Sequence, residues 1–270
     1  MAAPVARPHL RRDPAGGQIR PRKRFGQHFL HDPGVLARIV EAVAPAPGER
    51  IVEIGPGEGA LTRALLARVP HLTAIEIDRD LAARLAAEFS SERLTLHCAD
   101  ALDFDFGALA PDVRVVGNLP YNISTPLLFR IARYAGQVRD AHFMLQREVV
   151  ERMVAQPSTP AYGRLSVMLQ VRFRMRRLFN VAAGAFRPPP KVASALVRLE
   201  PLATPLACDE TVLAVVVRRA FSARRKTLRN ALALEAGDFE ALEIEPGLRP
   251  ENLSPADYVR IAVRMGLGKP

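Results

Sequence analysis

Residues 50–59 read Arg-Ile-Val-Glu-Ile-Gly-Pro-Gly-Glu-Gly, a short apolar run passing directly into glycine at every second position. Arg50–Ile54 has the length and β-branched content of a buried strand, and Ala60–Val69 beyond the glycines reads as a helix. A glycine-rich turn between a strand and a helix lets main chain approach a ligand closely at a helix N-terminus. The dinucleotide-binding spacing is G-x-G-x-x-G. Here it is G-x-G-x-G, with Glu53 two residues ahead and Glu58 inside the loop. Acids beside the loop would repel a pyrophosphate and suit an ammonium group, so the pattern favours S-adenosylmethionine over NAD.

Outward from this loop, strand and helix signals alternate. A helix is predicted from Pro33 to about Ala44, with Asp32 as N-cap, Pro33 in its first turn, and Pro45 and Pro47 ending it. Further strands are predicted at Leu72–Ile77, Leu94–Cys98, Val113–Val116 and Ala141–Leu145, with helices at Arg79–Phe89, Thr125–Tyr134 and from Arg147 to about Ala155. This alternation implies a mostly parallel sheet covered on both faces, an α/β fold of Rossmann-like type. Polar groups recur where successive strands end: Glu76 for a ribose, Asp100 for an adenine amine (or as a helix cap), and Asn118. Ligands sit at that edge of an open α/β sheet. Segments at 164–179 and 192–199 read as a helix and strands added to the same sheet. Prolines at 188–190, 201 and 205 mark a boundary near residue 200. Beyond it helices are expected at about 209–221, 223–234, 238–243 and 255–265. The expected organisation is a mobile basic tail over 1–21, a cofactor-binding catalytic domain over 22–200 and a helical substrate domain over 201–270.

Charge is divided unevenly along the 270 residues, whose net charge is +10. Seven basic residues stand against one acidic in 1–30, eleven against fifteen in 31–146, seven against two in 147–180, and thirteen against ten in 181–270. An acidic cofactor-handling core flanked by basic segments points to a polyanionic partner, nucleic acid foremost. Candidate phosphate contacts are Arg22, Lys23 and Arg24, then Arg218, Arg219, Arg224, Arg225, Lys226 and Arg229. Positions 218, 222, 225 and 229 share one face of a continuous helix. Arg172, Arg174, Arg176 and Arg177 form a further strip. Cys98 and Cys208 stand far apart in no metal-binding pattern, and the six histidines show no ligand spacing, so no metal is expected. No run of 18 apolar residues lacks a charge and no secretory signal is evident, so no membrane association and a cytoplasmic location are expected.

Further motifs complete the pattern: RKRFGQHFL (22–30), EIGPGEGALT (53–62), IEIDRDL (75–81), GNLPYNISTPLL (117–128), FMLQREVVERM (143–153), YGRLSV (162–167), FRPPPKVASALVRL (186–199) and FSARRKTLRN (221–230). On these the chain resembles the ribosomal RNA adenine N6,N6-dimethyltransferases over about residues 22–265, and its YGRLSV and RRKTLRN segments fit the bacterial small-subunit branch. The resemblance implies a class I S-adenosylmethionine-dependent methyltransferase fold with a small all-α C-terminal domain. It implies a cofactor site of His28, Leu30, Gly55, Gly57, Glu76, Asp100 and Asn118. Many relatives carry Asn where this chain has His28. The implied substrate is a pair of adjacent adenosines in the 3′-terminal hairpin loop of 16S rRNA, presented on a nearly assembled small subunit and met by a monomer. In Gly-Asn-Leu-Pro-Tyr (117–121), the Asn118 side-chain oxygen and a main-chain carbonyl at Leu119 or Pro120 can both accept from an adenine amine. Tyr121 and Phe186 are the candidates for stacking on the extruded base. The alternatives are an adenine-N6 methyltransferase of another RNA or of DNA, and a non-catalytic RNA-binding assembly factor, whose sign would be decay of the glycine loop or of Asn118.

Overall fold

The computed structural model describes residues 27–109, 111–232 and 234–266. Five parallel strands make its centre: β2 (Arg50–Ile54), β3 (Leu72–Glu76), β4 (Leu94–Cys98), β5 (Val113–Asn118) and β6 (Val138–Gln146). Two antiparallel strands, β7 (Phe173–Val181) and β9 (Ser194–Pro201), extend the sheet in the order β4-β3-β2-β5-β6-β9-β7. A separate ribbon pairs β1 (Phe29–Leu30) with β8 (Phe186–Arg187). Helices α1 (Pro33–Val43), α2 (Ala60–Leu66), α3 (Arg79–Glu88), α4 (Ser124–Arg133), α5 (Arg147–Met153) and α6 (Arg164–Gln170) cover the sheet. Helices α7 (Glu210–Ser222), α8 (Leu228–Ala231), α9 (Ala236–Leu242) and α10 (Pro255–Gly266) follow it.

The pleat explains why the central strands are apolar throughout. Val115, Phe143, Leu145 and Val197 face α4, α5 and α6, while their neighbours Val116, Met144 and Leu196 face α1, α2 and α3. The α1 start follows the predicted cap: Asp32 accepts the Val35 N–H at 2.9 Å. The sheet ends at Pro201, near the expected boundary, but packing continues across it. Ala155, Tyr162, Val167 and Val171 share one core with Leu213, Val216, Leu228, Tyr258 and Ile261. The Tyr162 hydroxyl donates to the Leu253 carbonyl at 2.9 Å.

The helix predicted over 223–234 is a correction. Helix α7 stops at Ser222, and only Leu228–Ala231 is helical beyond it. The Leu228 and Arg229 N–H groups donate to the Leu248 and Pro246 carbonyls, so tertiary hydrogen bonds replace helical ones. Arg218, Arg225 and Arg229 therefore do not lie on one continuous helix face. Among the described residues no helix is long and apolar enough to cross a membrane.

The start of β5 carries a buried ion network. Arg114 grips Asp140 through two bonds of 2.9 and 2.8 Å and Glu49 at 2.8 Å. Burial alone would raise the Asp140 carboxyl; the Arg114 guanidinium outweighs it and holds it low. Beside it, burial holds the His142 imidazole down at about 4 despite Asp140 at 3.7 Å, with the Arg114 and Arg198 charges also disfavouring protonation. His142 is neutral in the folded protein and takes up a proton near 6.5 once unfolded, so stability is retained above pH 6.5 and lost as pH falls toward 4. The expected loss is about 3 kcal/mol. Urea titrations at pH 7 and pH 5 should show that loss begin in the wild type and shrink in His142→Gln; an equal loss in both proteins would assign it elsewhere.

Candidate active site

Strand order reverses between β2 and β5, and a crevice opens where their carboxyl ends diverge. The cleft there encloses about 830 Å³, part of it open to solvent. The loop after β2 forms one lip. Gly55, Gly57 and Gly59 all adopt positive φ, at 67°, 59° and 82°, which favours glycine over any residue with a side chain. A Cβ on Gly57 would sit 3.0 Å from the Phe29 ring, so that corner is also too close for a side chain.

Glu76 ties this loop to the next strand. One carboxylate oxygen accepts the Gly57 N–H at 3.0 Å and the other the Asp78 N–H at 2.9 Å, while burial pushes the carboxyl above its ordinary range. A carboxylate has about four acceptor sites, so room remains for a ligand hydroxyl. Asp100 caps the following turn, Oδ1 accepting the Leu102 N–H at 2.8 Å, and the residue also lines the cleft. Gly55, Gly57, Glu76, Asp100, Asn118 and His28 thus meet in one cavity. Ile77, Gln27, Phe29 and Ala101 also line it, and none of them is named as a site residue from the sequence. Ile77 is 40% exposed directly after Glu76, and an exposed isoleucine at a strand end is the one signal that marks it.

Glycines that leave room for main-chain approach, an acid at the β3 terminus, an acid after β4 and an apolar wall between them fit S-adenosylmethionine. Two acids assigned to it do not reach the cleft. Glu53 alternates with Val52 and Ile54, so it points to the α2 side, where Thr62 Oγ1 donates to it at 2.6 Å and burial raises its carboxyl to about 7. Glu58 is exposed on another surface, beside Arg63 and Arg84. The choice of cofactor therefore rests on Asp100 and the glycine spacing, because a ribose-binding acid such as Glu76 serves NAD equally. Among the described residues no group of three His, Cys, Asp or Glu is placed to hold a metal.

Residues 19–265 match the ribosomal RNA adenine dimethylase family. The chain belongs to that family. It is an S-adenosylmethionine-dependent methyltransferase. Proteins named ribosomal RNA small subunit methyltransferase A are similar over nearly their whole length. That of Aromatoleum aromaticum is 61% identical, covering 90% of this chain and 93% of its own. That of Thiobacillus denitrificans is 60% identical, covering 89% and 96%. Among solved structures, a dimethyladenosine transferase from Plasmodium falciparum shares the fold with a TM-score of 0.78 at 24% identity, covering 89% of this chain and 98% of its own. The 23S rRNA methyltransferase ErmE has a TM-score of 0.67 at 27% identity, covering 88% and 99%.

In this family member the Asn-Leu-Pro-Tyr segment caps β5 at the mouth of the cleft. The Asn118 Nδ2 donates to the His28 carbonyl at 2.8 Å. A carbonyl can only accept, so this bond fixes the amide's orientation and leaves acceptance to Oδ1. The two main-chain candidates are also separated. The Pro120 carbonyl accepts the Ile123 N–H at 3.2 Å and closes the turn, whereas no donor among the described residues meets the Leu119 carbonyl. The Leu119 side chain is buried, and Tyr121 lines the cleft.

Two other residues read as site residues lie elsewhere. The Leu30 side chain is buried in the core shared with α1 and α2, outside the cleft wall; what it gives the site is its pairing with Phe186. Phe186 is 2% exposed and packs in that same core, because the β1–β8 pairing turns its ring inward. It does not present a face to an incoming base. Phe186→Ala is accordingly expected to cost about 3–5 kcal/mol of stability. Chemical unfolding measures it; unchanged stability with impaired RNA binding would restore the stacking role.

Of the basic residues, Arg22, Lys23 and Arg24 lie outside the described residues. Arg172 donates to Glu210 at 2.6 Å, Arg224 to the Pro160 carbonyl at 3.0 Å, and Arg177 lies 3.7 Å from Glu151. Arg174, Arg176, Arg218, Arg219, Arg225, Lys226 and Arg229 are exposed, and the described residues offer their side chains no ion pair.

Proposed function

We propose that this protein dimethylates N6 of two adjacent adenosines in the 3′-terminal hairpin loop of 16S rRNA, acting on a nearly assembled small subunit. The observation that carries this reading is the Asn118 amide, oriented by the His28 carbonyl beside a Leu119 carbonyl that no backbone N–H among the described residues engages. Adenine N6 is a weak nucleophile because its lone pair is delocalised into the ring. Two acceptors that take its N–H groups favour a tetrahedral nitrogen and aim the lone pair into the cleft. That is positioning and preorganised electrostatics. S-adenosylmethionine, when bound, supplies an electrophilic methyl group on a sulfonium. Glu76 would hold its ribose, Asp100 its adenine amine, and the Gly55–Gly59 turn its amino-acid end. The product nitrogen can release its proton to water, so the site needs no strong base. After one transfer the amine still carries an N–H, and the pocket must admit it again.

Relatives named for small-subunit ribosomal RNA support the cytoplasm, where subunits mature. Arg218, Arg225, Lys226 and Arg229, exposed and without an ion pair among the described residues, are the candidates for phosphate contact, which positions RNA rather than reading its sequence. The deciding experiment offers labelled S-adenosylmethionine with undermethylated small subunits, naked 16S rRNA or duplex DNA. Transfer should go to the small subunits, and mass spectrometry should find it as dimethyladenosine. Equal or better transfer to DNA would overturn the assignment.

A further inference from the structure

Ser194 opens β9 and is completely buried, yet its hydroxyl is directed at the site: Oγ lies 2.7 Å from the Tyr121 hydroxyl. The backbone at Ser194 is held from both sides, opposite Gln146 of β6 and Val181 of β7. It is therefore a fixed point on the catalytic edge of the sheet. Tyr121 has a second restraint. The His28 ring lies 5.4 Å from it, centroid to centroid and tilted by 31°, and His28 Nδ1 donates to the Pro188 carbonyl at 2.8 Å. The same His28 accepts the Asn118 amide through its own carbonyl. The tyrosine is thus held at its tip by Ser194 and flanked by His28, and it lines the cleft where a planar ligand would lie.

We propose that Ser194 is a positioning residue for methyl transfer: its hydrogen bond to Tyr121 fixes the plane against which the target adenine stacks, and so sets the approach of N6 to Asn118. The inference rests on the reading that adenine meets Asn118 and Tyr121. Ser194 touches neither reactant; it acts through Tyr121, much as the Pro188 carbonyl acts through His28. An adenine held at the wrong tilt still binds, because stacking and phosphate contacts tolerate small rotations, but its N6 misses the line of transfer. Loss of the bond should therefore slow the chemical step without weakening either substrate.

The test is a double-mutant cycle on the full chain under single-turnover conditions, with small subunits and S-adenosylmethionine saturating. Ser194→Ala and Tyr121→Phe each remove the same bond from opposite ends, and each should slow transfer about tenfold. S-adenosylmethionine affinity and subunit affinity should stay within twofold. The double variant should be no slower than either single one. Losses that multiply, unchanged rates, or a fall in cofactor affinity in place of rate would each overturn the proposal. Should Ser194→Ala fail to fold, Tyr121→Phe reads the bond alone, and a wild-type rate there overturns it. Tyr121→Ala separates the two levels: wild-type turnover in that variant defeats the adenine-site reading itself, whereas a large loss there beside an unaffected Tyr121→Phe defeats only the role of Ser194.

Discussion

Asn118→Ala is expected to slow methyl transfer by about a hundred- to a thousandfold or more, the scale seen when one preorganised polar group is removed from a reacting centre. S-adenosylmethionine and RNA binding should change by only a fewfold. The substitution removes one of the two acceptors for the adenine amine and also the donor that engages the His28 carbonyl. With one acceptor left, the nitrogen is free to stay planar and conjugated with the ring. Asn118→Asp sharpens the test. It keeps an acceptor oxygen toward the cleft but turns the other toward the His28 carbonyl, so two oxygens repel where a hydrogen bond stood. If amide orientation matters, the aspartate variant should be nearly as slow as the alanine one. Single-turnover transfer, together with equilibrium binding of cofactor and subunits, distinguishes chemistry from affinity. Full turnover by Asn118→Ala would remove the residue from the mechanism.

The parts of this molecule legible in its sequence are those set by local rules. The glycine loop, the Asp32 cap of α1 and the five parallel strands declare themselves through backbone requirements and periodicity, and Glu76, Asp100 and Asn118 follow because strand ends in such a sheet share one edge. The rest depends on pairing between distant residues, which local sequence does not display. Phe186 precedes three prolines and reads as an exposed loop residue, but its partner is Leu30 in a two-residue strand too short to leave a periodic signal. Glu53 adjoins the glycines and so reads as a cleft residue, yet the pleat sends it to the opposite face, toward Thr62. Residues 223–234 have strong local helix preference, and only the carbonyls of Pro246 and Leu248 show why the chain turns there. The grip of His28 on Asn118 joins residues 90 positions apart and had no sequence signature.

Gly117→Ala should be nearly as damaging as loss of Asn118, for a reason that lies in the sheet. Gly117 is in β5, beside Phe143 of β6 and immediately before Asn118. An added Cβ would lie 2.6 Å from the Ile54 carbonyl oxygen and 3.0 Å from the Leu119 side chain. The first contact is with main chain at the end of β2, where the glycine loop begins, so no rotamer change relieves it. Either β5 moves outward and carries Asn118 with it, or Ile54 moves and carries Gly55. Overpacking of this kind costs about 1–3 kcal/mol of stability. The displacement should also slow transfer by about a hundredfold, the usual cost of an ångström's misplacement at a reacting centre. Because the clash lies between the cofactor loop and the adenine site, S-adenosylmethionine affinity should fall together with rate, which separates this variant from Asn118→Ala. Gly136→Ala is the control: a Cβ there meets nothing within 4 Å, so stability and activity should hold. A folded Gly117→Ala protein with wild-type rate and cofactor affinity would mean that β2 and β5 can part at their ends without disturbing either ligand, and the tight crossing at the switch point would no longer explain why glycine precedes the Asn-Leu-Pro-Tyr segment.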